Sequence, residues 1–180
     1  MIKSVCVYCA SSARVPQIYL DSAYHLGKLF AQNEIHCLYG GGQSGLMRYL
    51  AEGVLSEGGR ITGVIPRFMV ENNWHHNDLP ELIEVETMHE RKAMLMRRAD
   101  AAIALPGGIG TFEELVEAIT WRKLGLFRKQ VFILNTNDFY NPLLQLLENA
   151  INEDFMEDAD RELWKTVNSP EELITELKNV

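Results

Sequence analysis

The sequence predicts an open α/β sheet, and two observations lead to that prediction. Short β-branched or apolar runs alternate with segments of helical period along the chain. The chain has 180 residues, 47% of them hydrophobic, with no Pro-, Gly- or Ser-rich break in the middle, which suits one domain with a sizeable core. Because alternating strands and helices form right-handed crossovers, we expect a single domain, 1–180, with a parallel sheet and helices on both faces.

The predicted elements follow one another in a regular order. Apolar runs predict strands over 4–9, 35–39, 61–65, 82–85, 101–105 and 131–134. Helical periodicity predicts helices over 18–31, 45–56, 89–98, 113–124, 142–151 and 170–178. In sheets of this kind ligands bind outside the carboxyl ends of the strands, so we expect function in the loops that follow the strands.

Charge and hydropathy limit the classes of partner. Seventeen basic against 25 acidic residues give a net charge of -8, and the basic residues form no stripe, which argues against binding to nucleic acid. One small phosphorylated ligand is compatible with this charge. No apolar run is long enough to span a bilayer, so we expect no membrane association, and the segment MIKSVCVYCASS resembles a first strand more than a signal peptide. We therefore expect a cytoplasmic protein.

Cysteines and histidines do not predict redox or metal chemistry. Cys6 and Cys9 have the spacing of a redox pair, but in a strand residues three apart point to opposite faces. Cys37 is expected to be buried. His75 and His76 have no Cys, His or Asp partners at ligand spacing, so we expect a solvated loop there and no metal site.

The first glycine-rich loop has the context of a phosphate-binding turn. Gly40, Gly42 and Gly45 satisfy G-x-G-x-x-G directly after a predicted strand and at the start of a predicted helix. A dinucleotide site would place an acidic residue about 20 residues later, but the next predicted strand ends in VIP followed by Arg67, which disfavours NAD. Alternatively, the glycines only allow a tight turn and close packing of helix on sheet.

The second glycine-rich loop lies in LPGGIGTFEEL. Gly107, Gly108 and Gly110 can turn backbone N–H groups toward one point, and the helix expected after Thr111 adds its positive dipole end, so a phosphate group would be well held. An alternative is a capping box formed by Thr111 and Glu114, which would make Glu114 structural. Capping, however, requires neither three glycines nor a proline.

Two acids and two bases complete the predicted site. Glu113 and Glu114 would lie at the rim of the phosphate site, where they predict a cationic group next to the phosphate. Arg91 and Lys92 fall in the first turns of a predicted helix, on the same edge of the sheet. Basic residues there oppose the helix dipole, so they indicate an anion or a carboxylate nearby, although a basic pair is often simply solvated.

These motifs together resemble one family. PGGIGTFEE matches P-G-G-x-G-T-x-x-E and MHERK matches M-x-x-R-K, while VYCASS, YGGGQSGLM, GVIP and EAITWRKLG occur in the same order and at similar spacing. The chain thus resembles the Lonely Guy (LOG) family of cytokinin riboside 5′-monophosphate phosphoribohydrolases. The resemblance implies a Rossmann-like fold, usually a homodimer, and hydrolysis of a nucleoside 5′-monophosphate to free base and ribose 5-phosphate, without cofactor or metal.

The resemblance also implies roles for individual residues. The catalytic pair falls on Arg91 and Glu114. The implied substrate-binding positions are Lys92, Gly108, Gly110, Thr111, Glu113 and Thr120, with Ser11 and Ser12 in the loop after the first strand; the two glycine-rich loops add Gly42 and Gly107.

The chain departs from the family pattern in two places. Arg48 follows the Gly-Leu-Met where plant members commonly have glycine, and the segment 69–82, MVENNWHHNDLPEL, differs from the usual one. Because that segment helps form the base pocket in relatives, the base remains open between adenine, an N6-prenylated adenine and another purine.

The expected chemistry explains why acids lie near a phosphate. Cleavage of a ribosyl C–N bond builds positive charge on the sugar ring, which a carboxylate beside the anomeric carbon stabilises. Glu114 is the expected carboxylate, and it also orients or deprotonates the attacking water. We expect Arg91 to supply the nearby cation that keeps Glu114 ionised. Its guanidinium either pairs with Glu114, which fixes the rotamer and keeps the pKa of Glu114 low, or contacts the substrate.

Two other functions are alternatives to hydrolysis, and the resemblance also bears on the oligomeric state. A binding module of the same fold, such as a molybdenum cofactor carrier or a nucleotide sensor, would keep the phosphate loop without turnover. Lysine decarboxylation needs pyridoxal phosphate on a Schiff-base lysine in a larger protein, which we exclude. A homodimer is expected from the resemblance and from apolar residues beyond the needs of one sheet face, unless these are ordinary core: Met88, Met94, Leu95, Met96 and Trp121.

Overall fold

The fold is a seven-stranded sheet in which each pair of neighbouring strands is parallel, in the order β4-β3-β2-β1-β5-β6-β7. The computed structural model describes residues 2–180. The strands are β1 (Ser4–Tyr8), β2 (His36–Tyr39), β3 (Ile61–Pro66), β4 (Leu82–Val85), β5 (Ala101–Ala104), β6 (Gln130–Leu134) and β7 (Lys165–Val167). The predicted open parallel sheet is confirmed.

Helices cover both faces of the sheet. They are α1 (Gln17–Gln32), α2 (Gly45–Ser56), α3 (Arg67–Glu71), α4 (Met88–Arg98), α5 (Ile109–Lys123), α6 (Asn141–Asn152) and α7 (Pro170–Asn179). Two 3-10 turns, Thr136–Asp138 and Asp158–Leu163, complete the described elements. Strands β1, β3 and β5 are buried on both sides, as expected for a parallel sheet between helices, whereas the edge strands β4 and β7 are partly exposed. No helix within residues 2–180 is both long and apolar enough to span a membrane.

Two hydrophobic cores lie on opposite faces of the sheet. One packs α1, α2 and α7 against it and includes Cys9, while the other packs α4 and α5 and includes Cys6. The two cysteines of the C-x-x-C pattern therefore point to opposite faces, as predicted. Cys6, Cys9 and Cys37 are all buried free thiols, and burial raises the pKa of Cys6 to about 12. The prediction that Cys37 is buried is confirmed.

The strand order places a switch point beside the first strand. The chain runs outward from β1 through β2 and β3 to β4, then returns to the other side of β1 with β5. Loops leaving β1 and β5 therefore diverge, and this opening is where sheets of this class bind ligands. The two loops stay joined at their base, since the Ala10 N–H donates to the Pro106 carbonyl at 3.2 Å.

Three element predictions need correction. Helix α5 begins at Ile109, four residues before the predicted start, because the PGGIG glycines form the helix entry instead of a loop outside it. The short helix α3 and the edge strand β7 were not predicted. Both are only three to five residues long, so neither offers enough residues for a periodic pattern.

Candidate active site

A cavity of about 760 Å³ lies over the switch point, at the carboxyl ends of the central strands. Its walls come from the loop after β1, the turn after β2, helix α4 and the start of α5. The predicted residues that line it are Ser11, Ser12, Gly42, Arg91, Gly108, Gly110, Thr111, Glu113 and Glu114. Chain segments that are distant in sequence thus meet around one space.

The first turn of α5 forms one end of the cavity. Gly108 is the N-cap residue, and no side chain caps the helix. A Cβ added at Gly108 or Gly110 would have no heavy atom within 4 Å, so the protein's own packing does not require glycine there. At Gly107, by contrast, a Cβ would lie 2.1 Å from the Thr111 hydroxyl. Gly107 therefore makes room for the buried Thr111 side chain.

The capping-box interpretation of this loop is wrong. Thr111 lies inside α5, in its first turn, and not at the N-cap position. The helix entry consequently keeps backbone N–H groups that no side chain of the cap satisfies, and it carries the positive end of the helix dipole. A real capping box lies instead at the start of α4, where Thr87 and Glu90 satisfy each other's backbone.

Glu114 lies on the buried side of α5 and faces the cavity. It is only 8% exposed, and burial raises its pKa from 4.5 to about 7, while the positive charge of Arg91 opposes the rise. Within residues 2–180 the carboxylate accepts no hydrogen bond and forms no ion pair. The expectation that Arg91 keeps the pKa low is therefore wrong, because the loss of hydration outweighs the attraction of the nearby cation.

Arg91 is held by backbone carbonyls at the ends of two strands. Its Nε donates to the Val64 carbonyl at 3.1 Å and its Nη2 to the Gly40 carbonyl at 3.0 Å. A Cβ added at Gly40 would lie 1.6 Å from Nη2, so the first glycine of the G-x-G-x-x-G pattern is needed to seat the guanidinium. Burial lowers the pKa of Arg91 and the charge of Glu114 opposes the fall. An arginine remains charged in such a setting.

Three predicted residues do not line the cavity. Lys92 is buried and forms ion pairs with Glu113 and, at 3.2 Å, with Glu117, so it joins α4 to α5. Gly107 lies behind Thr111, as described above. Thr120 is exposed farther along α5, where its hydroxyl donates to the Val116 carbonyl at 2.8 Å. It borders a second groove of about 300 Å³ instead.

The loop after β1 is held close to the start of α2. Gly45 has a φ of +60°, and a Cβ there would lie 2.5 Å from the Ser12 carbonyl oxygen. The Met47 N–H donates to the Ala10 carbonyl at 3.3 Å, which fixes the same approach. Both serines of this loop, Ser11 and Ser12, are exposed at the cavity. Close packing of the backbone therefore brings them into the site.

The wall opposite the α5 loop contains residues for which no individual role in the site was predicted. Met47, Met69, Trp74 and Met88 line it, together with Gln43. Met69 and Trp74 lie in the segment 69–82, which the family resemblance had associated with the base pocket, so the sequence indicated this wall as a segment but not by its individual residues. Gly40 was part of the recognised glycine pattern, but its role in seating Arg91 depends on a contact between distant segments.

The adjacent histidines correct another expectation. His76 is buried and not solvated: its N–H donates to the Gly41 carbonyl at 2.9 Å and its Nδ1 accepts from the Asp78 N–H at 3.3 Å. His75 is half-buried and forms a bridge with Gly42. These contacts attach the loop before β4 to the turn after β2. Across residues 2–180, no three His, Cys, Asp or Glu side chains form a group that could hold a metal ion.

Comparison with known proteins extends over nearly the whole chain. A family model described as "Possible lysine decarboxylase" matches residues 47–177. A probable cytokinin riboside 5′-monophosphate phosphoribohydrolase of Oryza sativa subsp. japonica is 40% identical over 98% of this chain and 72% of its own length. A cytokinin riboside 5′-monophosphate phosphoribohydrolase of Arabidopsis thaliana is 38% identical over 98% of this chain and 77% of its own length.

Solved structures share the fold at lower identity. A molybdenum cofactor binding protein from the phototrophic bacterium Rippkaea orientalis has a TM-score of 0.75 at 22% identity, with 99% of this chain and 97% of that chain covered. The molybdenum cofactor carrier protein of Chlamydomonas reinhardtii has a TM-score of 0.75 at 19% identity, with 99% and 98% covered. At these identities the likeness concerns the fold alone.

Proposed function

The chain belongs to the Lonely Guy family of cytokinin riboside 5′-monophosphate phosphoribohydrolases, and we propose that it hydrolyses the N-glycosidic bond of a purine riboside 5′-monophosphate. The products are the free base and ribose 5-phosphate. The single observation that best supports this proposal is the buried carboxylate of Glu114 between an uncapped helix entry and the buried Arg91 guanidinium, all facing one cavity.

In this proposal the α5 entry binds the 5′-phosphate. Backbone N–H groups of Gly108 to Thr111 and the helix dipole suit a phosphate dianion, and the open space beside Gly108 and Gly110 allows its close approach. Binding the phosphate places the anomeric carbon at a fixed distance, near the next turn of the same helix. Ser11, Ser12 and Gly42 line the remaining wall beside the ribose.

Glu114 and Arg91 carry the chemical step in this proposal. As the C–N bond breaks, the ribose ring gains positive charge, and the Glu114 carboxylate stabilises it electrostatically. A pKa of about 7 also suits a general base that takes a proton from the attacking water at neutral pH. Arg91, anchored by two carbonyls, retains donors of its guanidinium for the substrate and offsets part of the negative charge of Glu114.

Lys92 and Glu113 form an ion pair at the border of the proposed site. Glu113 lines the cavity, and Lys92 holds it by an ion pair from α4. We assign Lys92 to substrate binding through Glu113, with the ion pair fixing the relative position of the two helices that carry Arg91 and Glu114. Gly107 contributes by leaving space for Thr111.

A direct assay tests the proposed reaction. Purified protein is incubated with AMP and with N6-isopentenyl-AMP, and free base and ribose 5-phosphate are separated by chromatography. We expect base release from at least one nucleotide, abolished in Arg91→Ala and Glu114→Gln, and the ratio of the two rates defines the preferred base. If neither nucleotide is cleaved while both still raise the melting temperature, the chain is a nucleotide-binding module.

We further propose that the protein acts as a homodimer. Helix α5, its C-terminal end and the turn after α6 expose large apolar side chains around one groove: Val116, Leu124 and Phe155, the last 84% exposed. A monomer rarely exposes apolar surface of this kind as one patch. Thr120 borders the same patch, so a substrate-binding role for Thr120 requires that it serve the cavity of a second copy.

The dimer proposal has its own test. Phe155→Asp introduces a charge into the patch, and light scattering at micromolar concentration is expected to show a monomer where the parent protein is a dimer. Lower activity of that monomer, with unchanged helix content, would link assembly to catalysis. A fully active monomer of the parent protein would refute the link.

We also propose a cellular location and a domain boundary for the protein. We place the protein in the cytoplasm, a location supported by three free thiols, which fit a reducing compartment. We treat residues 1–180 as one nucleotide-binding domain because one continuous sheet contains all seven strands.

A further inference from the structure

Trp74 is the aromatic side chain of the cavity wall: no other aromatic residue among residues 2–180 lines this space. Its side chain is 54% exposed, although an indole is among the largest apolar groups in proteins. A ring that borders a cavity with much of its surface free has room to receive a flat ligand group. The neighbouring wall is built from Met47, Met69 and Met88, whose flexible thioethers adapt to irregular shapes.

The backbone of Trp74 is fixed on both sides. Its N–H donates to the Met69 carbonyl at 3.0 Å, and its carbonyl accepts the Gln43 N–H at 3.0 Å. The Gln43 amide adds a second link, donating through Nε2 to the Asn73 carbonyl at 2.5 Å. The loop that carries Trp74 is therefore attached to the glycine-rich turn after β2. Such a preformed platform loses little conformational freedom when a ligand binds.

The ring of Trp74 also has an aromatic neighbour. Phe68, on α3, meets it edge to face, with ring centroids 6.4 Å apart and planes inclined by 80°. Phe68 does not line the cavity, so it supports the indole from outside. This edge-to-face contact covers only part of the indole, which remains 54% exposed and borders the cavity.

Position in the sheet separates Trp74 from the phosphate end. Trp74 lies in the connection that follows β3, while the α5 entry follows β5, and β2 and β1 lie between these strands. Neighbouring strands are about 4.8 Å apart, so the two ends of the cavity are separated by roughly 14 Å. Glu114 and Arg91 line the same cavity. A nucleotide with its phosphate at α5 would direct its base toward Trp74.

We infer that the indole of Trp74 stacks on the base of the bound nucleotide and thereby selects purine over pyrimidine nucleotides. The inference rests on the proposed function for the identity of the ligand as a nucleoside 5′-monophosphate. A two-ring base covers more of the two-ring indole than a pyrimidine does, and stacking requires no particular hydrogen-bonding edge. Trp74 thus determines specificity without taking part in bond cleavage.

Binding measurements on Trp74 variants test the inference. We compare Trp74→Leu, which keeps apolar bulk but has no ring, with Trp74→Phe, which keeps a ring. All three proteins also carry Glu114→Gln, so that AMP stays intact during the titration, and calorimetry is expected to show that AMP binds about 10- to 100-fold more weakly to Trp74→Leu and only severalfold more weakly to Trp74→Phe. Ribose 5-phosphate, which has no base, is expected to bind all three proteins equally. The preference for AMP over CMP falls in the leucine variant.

Fluorescence in the same Glu114→Gln background provides a readout that does not depend on turnover. The chain has three tryptophans, and replacement of Trp121 and Trp164 by phenylalanine leaves Trp74 alone. We expect AMP to quench this single emission in a saturable way and ribose 5-phosphate to leave it nearly unchanged. Equal quenching by both ligands would overturn the inference, because it would report loop movement instead of stacking.

The outcomes separate this inference from the proposed reaction. If Trp74→Leu binds AMP as tightly as the parent protein, or loses ribose 5-phosphate to the same extent as AMP, the stacking inference is wrong whatever the enzyme does. If the parent protein releases no base but Trp74→Leu selectively loses AMP affinity, stacking is upheld and the proposed hydrolysis fails. A thermal melt of each variant accompanies these measurements to confirm that it is folded.

Discussion

Replacing Glu114 by glutamine is expected to stabilise the protein at alkaline pH. The folded-state pKa of Glu114, about 7, exceeds its ordinary value of 4.5. Between pH 4.5 and pH 7 the folded protein therefore keeps a proton on Glu114 that the unfolded chain has lost. Stability therefore falls as the pH rises through this window and levels off above it. Glutamine has the same shape and carries no charge, so it avoids the cost of ionisation in a buried site.

The size of the effect follows from the two pKa values. Their difference corresponds to a gain of about 3 kcal/mol for Glu114→Gln at pH 8, which shrinks to about 1 kcal/mol at pH 5. For a protein of this length, 3 kcal/mol raises the melting temperature by about 6–12 °C. Denaturant unfolding of both proteins at pH 5 and pH 8 measures the gain directly.

A matched surface change provides the control. Glu153 is exposed and forms no ion pair within residues 2–180, so Glu153→Gln is expected to alter stability by less than about 0.5 kcal/mol at either pH. If Glu114→Gln is less stable than the parent protein at pH 8, or gains the same amount at both pH values, burial of the Glu114 carboxylate is not what raises its pKa.

Three further predictions concern activity. Because Glu114 acts as a carboxylate, kcat/KM is expected to rise with pH up to about 7 and then level off. The charge of Glu113 contributes to raising the pKa of Glu114, so Glu113→Gln is expected to shift this rise to lower pH. A rise that stays at the same pH would contradict that coupling. Gly40→Ala would collide with Arg91 and is expected to lower kcat/KM by about 100-fold or more with the fold retained by circular dichroism. Lys92→Met and Glu113→Gln are expected to be no worse together than the more damaging one alone, because they form one ion pair, whereas additive losses in kcat/KM would show that Lys92 acts on the substrate independently.

The sequence predicted the sheet because its signal is local and repeated. Apolar runs of four to six residues separated by helical segments are readable wherever they are long enough, and β7, with three residues and an exposed Lys165, was too short. The start of α5 was misplaced for a different reason. Glycine is a poor helix former, so PGGIG indicates a loop, yet Ile109 and Gly110 already belong to the helix.

The sequence predicted which residues line the cavity better than it predicted their hydrogen bonds and pKa values. The motifs located Arg91 and Glu114, and parallel strands brought them to one edge. The sequence could not show that the Arg91 guanidinium donates to backbone carbonyls. Nor could it show that the anionic groups that Lys92 meets are carboxylates of α5. The pKa of Glu114 depends on how much water the folded chain removes around it, which is a property of packing between distant segments.

The destabilised carboxylate sets an expectation for catalysis. Burial raises the free energy of ionised Glu114 by about 3 kcal/mol relative to water. Positive charge that develops on the ribose in the transition state, next to this carboxylate, offsets that cost and so lowers the activation barrier. A barrier lowered by about 3 kcal/mol corresponds to a rate increase of about 150-fold. Glu114→Gln should then lower kcat by at least about 100-fold while ribose 5-phosphate binds as before. A loss of less than tenfold would mean that Glu114 does not face the developing charge, and that its raised pKa reflects packing of α5 alone.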